Sequence, residues 1–198
     1  MRPTDSDTWK DRYLGVRGVA LVEGVSDQLA LEALAKRRGR DLEAEGIAII
    51  PVGGSKNVDG HLAVFGPQGL DVTLAGLCDV AEVDDFRRGL ERTGPGRNLS
   101  RADMERIGFY VCVEDLEDEL IRALGSSTVE RIVEAHGEMQ SFRTFQKQPA
   151  QRGRQLNDQL RRFMGTRAGR KAVYAPLLVE ALDIDRVPRP LDGVLSHL

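Results

Sequence analysis

The sequence predicts an α/β protein: a parallel sheet flanked by helices, with a helical extension at its C-terminal end. Three observations predict it. Short apolar runs alternate with amphipathic segments at roughly 25–35-residue spacing up to about residue 125, the pattern of successive βα units. Each run is bounded by glycine or acidic residues, as buried strands are bounded by turn signals. From residue 127 onward only helical periodicity remains.

The first apolar block, Gly18-Val-Ala-Leu-Val-Glu23-Gly24, reads as a buried strand ending in a glycine turn. Ser26 or Asp27 then caps a helix through Leu29, Leu31, Leu34 and Ala35, which stops at Gly39. Ile47-Ala-Ile-Ile-Pro-Val52 is the second strand, followed by the turn Gly53-Gly54 and a short helix over 57–65. A third strand spans 71–78 and ends at Asp79, with a helix over 82–92 and a loop over 93–100. The fourth, Gly108-Phe-Tyr-Val-Cys-Val113, runs into Glu114-Asp115 and a helix through Leu124. Residues 1–14 form a lead-in pinned by Trp9 and Tyr13, 15–125 the α/β core, and 126–198 the helical extension.

At 198 residues the chain has room for one domain with a real core. No stretch approaches the ~18–20 apolar residues of a membrane-spanning helix, and the polar start lacks the apolar region of a signal peptide. Two cysteines, Cys78 and Cys112, both in apolar runs, fit packing in a reducing cytoplasm rather than a disulfide scaffold or a thiolate zinc site. His136, on an apolar-polar helix, reads as a surface residue. The net charge of −3 hides a division: residues 1–140 carry −9, 141–174 carry +8 and 175–198 carry −2.

Acidic residues close three of the four strands: Glu23 with Asp27, Asp79, and Glu114-Asp115 with Glu117. Ligands of open parallel sheets bind outside the carboxyl ends of the strands, and carboxylates gathered there repel unless a cation sits between them. Mg2+ and Mn2+ suit such all-oxygen sites and keep positions for water and phosphate. The alternative for each residue singly is helix capping, favoured by the helix dipole. Glu23 stands out because four apolar residues precede it and Gly24 follows.

Leu21-Val-Glu-Gly-Val-Ser-Asp27 resembles the first motif of the Toprim domain, a metal-dependent phosphotransfer fold of topoisomerases, primases and some nucleases. Gly39-Arg-Asp-Leu-Glu-Ala-Glu-Gly46, Pro51-Val-Gly-Gly-Ser-Lys-Asn57 and Asp115-Leu-Glu-Asp-Glu-Leu120 are similar to the Toprim domain of OLD-family (overcoming lysogenization defect) endonucleases. The resemblance covers about 15–125 and extends more weakly to Gly169-Arg-Lys171 and Val187-Pro-Arg-Pro190. It implies a Toprim-like Rossmannoid sheet and hydrolysis of DNA phosphodiesters with one or two Mg2+ or Mn2+ ions. By position, it implies Glu23 as metal ligand or general base, Asp27, Asp79, Asp115 and Glu117 as further metal ligands, and Lys171 as the catalytic lysine that neutralises phosphate.

The sequence departs from the family at two points. Val80-Ala81 follows Asp79, so the second acid of the family's Asp-x-Asp is missing, with Glu82, Asp84 and Asp85 in the next turn as substitutes at a different spacing. No phosphate-binding Gly-x-x-x-x-Gly-Lys-[Ser/Thr] loop accompanies the domain; Gly53-Gly54-Ser55-Lys56 lacks its spacing and its hydroxyl residue. A stand-alone domain working with a separately encoded ATPase is therefore expected. Lys56 is open between a solvated loop lysine and a phosphate contact.

The basic segment 141–174 contains Lys147, Arg152, Arg154, Arg161, Arg162 and Arg170, interleaved with Phe142, Phe145 and Phe163. The aromatics read as core, and the basic residues as a DNA-backbone contact. The competing task is neutralising the acidic region within the fold or across a homodimer. Three functional readings stay open: a cytoplasmic Toprim nuclease, a catalytically weakened module that binds nucleic acid or a partner ATPase without cutting, and phosphotransfer on a small phosphorylated molecule.

Overall fold

The computed structural model describes residue 13, residues 15–94 and residues 96–198. Strands β1 (Gly18–Val22), β2 (Ile47–Pro51), β3 (Thr73–Cys78) and β4 (Phe109–Val111) form one sheet in the order β2-β1-β3-β4, with every pairing parallel. β1 and β3 lie in register, Val22 opposite Leu77, so their carboxyl ends finish side by side. The predicted parallel sheet flanked by helices, with helices at the C-terminus, is the architecture observed.

Successive residues of β1 enter opposite cores, as the two-residue period of a strand requires. Ala20 and Val22 face one side with Ile49, Ala75 and Leu77. Val19 and Leu21 face the other with Ile50, Phe109 and Val111. Helices α1 (Val25–Arg37), α5 (Leu116–Leu124), α6 (Ser126–Ala135), α7 (Met139–Gln146), α8 (Leu156–Met164), α9 (Arg170–Ala181) and α10 (Arg189–His197) cover the first side. α2 (Val58–Phe65), α3 (Val83–Thr93) and α4 (Arg101–Arg106) cover the second. A sheet buried on both faces explains why its strands read as continuous apolar runs. The C-terminal helices share a core with the sheet, and α9 packs along α1, tied by Arg37 Nη1 donating to the Val179 carbonyl at 2.7 Å.

The differences from the sequence reading are local. β4 stops at Val111, because the Val113 N–H is taken by Glu119 Oε1 at 2.7 Å rather than by a neighbouring strand. α4 follows the expected loop; it is short and polar, and buries only Met104. Tyr13 meets the Phe65 ring edge-on at 5.0 Å, whereas Trp9 lies outside the described residues. His136 is exposed, and both cysteines are buried and free. Among the described residues, no helix is long and apolar enough to cross a membrane.

Candidate metal centre

The strand order changes direction at β1: the chain moves to β2 on one side, then returns past β1 to β3 on the other. The crevice between the carboxyl ends of β1 and β3 is therefore the topological switch point, where this class of sheet binds ligands. Glu23 emerges from β1 on one flank and Asp79 from β3 on the other. After Asp79 the chain turns tightly, the Glu82 N–H donating to the Asp79 carbonyl at 3.1 Å, and Glu82 opens α3. The turn carries the Glu82 carboxylate back over the crevice. One carboxylate oxygen each from Glu23, Asp79 and Glu82 lies within 4.8 Å of the others. Of the three substitutes for the missing acid, Glu82 is the one brought to the crevice; Asp84 pairs with Arg87 at 2.8 Å, and Asp85 accepts from Ser55 Oγ at 2.6 Å.

The electrostatics are those of carboxylates crowded without enough positive charge. Burial, reinforced by Glu82 and Asp27, pushes Glu23 up to about 7. Burial and the charges of Glu23, Asp27 and Asp115 push Asp79 up to about 8. Asp27, 7% exposed, rises to about 6, mainly through burial and against the Gly24 N–H that donates to its Oδ2 at 2.8 Å. Among the described residues, Glu82 Oε2 is buried with no hydrogen-bond partner. Three converging oxygens, an orphaned acceptor and raised proton affinities together fit a hard divalent cation, which replaces protons as the compensating charge.

Beside this cluster lies a second acidic bank that already holds cations. Glu117 is 1% exposed, and its Oε2 accepts from Lys171 Nζ at 2.6 Å. Asp115 caps α5 by accepting from the Asp118 N–H at 2.9 Å, and stands 3.8 Å from Lys171 and 3.9 Å from Arg161. Burial pushes Glu117 upward and outweighs the opposing pull of Lys171. Burial alone would lower Lys171; Glu117, Asp115 and Asp79 outweigh it and hold the ammonium charged. The capping alternative thus describes part of what Asp27 and Asp115 do, since each accepts a backbone N–H at the start of its helix.

The basic candidates disperse. Arg161 joins the site, donating to Glu114 at 3.2 Å. Lys56 is exposed in the turn after β2, and Lys147, Arg152 and Arg162 are exposed on the C-terminal helices and their connections. Arg152 donates to the Lys147 carbonyl at 3.1 Å, and Arg154 pairs with Asp158 at 2.9 Å. Arg170 corrects the sequence reading. Its side chain is 9% exposed, paired to Glu138 at 3.0 Å, with its guanidinium 4.0 Å from the centre of the Phe163 ring. It anchors the start of α9 instead of facing a phosphate backbone. The sequence contains no local signal for this, because Glu138 is 32 residues away.

Residues 16–80 match the family model of the overcoming lysogenization defect protein-like TOPRIM domain, a stretch that includes Glu23, Asp27 and Asp79. Residues 16–80 are thus similar to an OLD-like TOPRIM domain. The C-terminal region of the Xanthomonas campestris pv. campestris OLD protein superposes with a TM-score of 0.71 at 22% identity, over 92% of this chain and 91% of that one. The C-terminal region of the Burkholderia pseudomallei OLD protein gives a TM-score of 0.70 at 21% identity, over 92% and 96%. The OLD-like fold therefore extends through the C-terminal helices, beyond the residues matched by the family model. No curated protein matches the sequence significantly.

Proposed function

We propose that this OLD-like TOPRIM domain hydrolyses phosphodiester bonds in DNA with Mg2+ or Mn2+ held by Glu23, Asp79 and Glu82. The observation that carries the reading is the convergence of these three carboxylates at the switch point of the sheet. A divalent ion there supplies Lewis acidity to a water and to the phosphoryl oxygens. Glu23, one of the three carboxylates of the crevice, is the group we assign to take the proton of the attacking water. As water oxygen bonds to phosphorus, the ester P–O bond breaks, and the leaving oxygen departs with the electron pair and takes a proton from solvent water. Lys171, kept charged beside Asp79, neutralises the phosphate. Exposed Lys56, Lys147, Arg152 and Arg162 contribute backbone contacts, and two free buried cysteines suit a cytoplasmic setting.

A second reading, a module that binds DNA without cutting it, is favoured by one feature: Asp115 and Glu117 are paired with Lys171 rather than open to a second ion. Incubating the protein with supercoiled and linear DNA in Mg2+, Mn2+ or EDTA separates the two. The nuclease reading expects metal-dependent nicking that disappears in Glu23→Ala. Salt-sensitive DNA binding with no cleavage in any metal would leave the binding module.

A further inference from the structure

We infer that this chain binds a single divalent ion, and that the Lys171 ammonium serves as a built-in second cation between Glu117 and Asp115. The inference rests on the metal reading above and fixes its stoichiometry.

The acids of the site differ in what already satisfies them. Glu23, Asp79 and Glu82 enter no ion pair among the described residues, and their oxygens share one 4.8 Å neighbourhood. Asp27, Asp115 and Glu117 each already hold a donor on one carboxylate oxygen. Asp27 Oδ2 accepts from the Gly24 N–H, Asp115 Oδ1 from the Asp118 N–H, and Glu117 Oε2 from Lys171. A second ion at this bank would have to displace an ammonium 2.6 Å from its main ligand, or sit against it at the cost of Coulomb repulsion at close range. Ala81 stands two residues after Asp79, and the acid that takes its place, Glu82, is gathered with Glu23 and Asp79 rather than with Asp115 and Glu117.

Lys171 is held in place by its neighbour in sequence. Arg170 locks the first turn of α9 through Glu138, the Phe163 carbonyl at 2.9 Å and the Phe163 ring. The ammonium therefore extends from a fixed backbone into the acidic bank. It neutralises Glu117 and Asp115 and still exerts its charge on Asp79, Asp27 and Glu23. Among the described residues, Glu117 Oε1 is a buried acceptor without a hydrogen-bond partner, and a single such oxygen is too few for a coordination sphere.

Titration of the whole chain with Mn2+, following free Mn2+ by electron paramagnetic resonance, counts the sites without reference to activity. Wild type is expected to bind one ion, and Lys171→Met, which frees Glu117, to bind two. Lys171→Arg keeps the charge and is expected to stay at one, with circular dichroism verifying the fold of each variant. Two ions in wild type, a second site in Lys171→Arg, or a single site in folded Lys171→Met would overturn the inference while leaving the metal reading intact. No bound ion in wild type would overturn both.

Discussion

Lys171 on α9 donates to Glu117 on α5 across 54 residues of sequence, at 2.6 Å, with the carboxylate almost fully enclosed. The pair ties the C-terminal helices to the acidic edge of the sheet. Removing only the lysine strands a buried carboxylate, and a buried polar group left unpaired costs about 1–3 kcal/mol. Lys171→Ala is therefore expected to lower unfolding free energy by about that amount in urea titrations, with an unchanged denaturant slope. Adding Glu117→Gln should recover part of the loss; strictly additive losses would show that the pair is not coupled.

The metal-free protein should lose stability as pH rises. Asp27, Glu23 and Asp79 titrate in the fold at about 6, 7 and 8. Their unfolded counterparts titrate near 4. Between about pH 4 and 8 the folded state thus holds more protons than the unfolded chain, and stability declines with increasing pH across that window. The thermal midpoint in EDTA should be higher at pH 5.5 than at pH 8.5, and Glu23→Gln should flatten the slope. Saturating Mg2+ should raise the midpoint most at the alkaline end, where the ligands are ionised. A midpoint in EDTA that climbs from pH 5.5 to 8.5 would contradict the electrostatic account of the crevice.

Glu82 is the residue on which the altered acidic motif turns. Glu82→Gln should weaken Mn2+ binding by about tenfold or more, the scale on which even supporting residues of metal sites act. Asp84→Asn and Asp85→Asn, whose carboxylates are turned to Arg87 and Ser55, should leave the affinity unchanged. Calorimetric titration of the three variants checks this, and equal losses in all three would remove Glu82 from the site.

Among the basic residues, exposure separates DNA contact from structure. Arg162→Ala should weaken DNA binding and reduce the slope of log affinity against log salt by about 0.9, the contribution of one phosphate contact. Arg170→Ala should instead lower the melting temperature, since it removes the anchor on Glu138 and Phe163. Fluorescence anisotropy over a salt series, paired with thermal melts, distinguishes the two roles.

The sheet was legible in the sequence because its signals are local: an apolar run, a glycine or an acid, then a helical face. The same locality placed Glu23 and Asp79 at strand ends and Asp27 in the first turn of the helix that follows β1. α4 escaped because its six residues carry one buried side chain, although Ser100 and Asp103 form a capping box that marks its start. The choice of Glu82 over Asp84 and Asp85 depends on one tight turn, which composition does not encode. The roles of Arg170 and Lys171 depend on α9 folding back against α1 and α5, a long-range packing event that leaves no trace in residue spacing.

The central claim is that Glu23, Asp79 and Glu82 hold a divalent ion at the switch point between β1 and β3. Anomalous diffraction from crystals soaked in Mn2+ tests it most directly. The account predicts one strong peak within ligation distance of an oxygen from each of the three carboxylates. A peak held by Asp115 and Glu117 without Glu82, or no peak at saturating Mn2+, would contradict it.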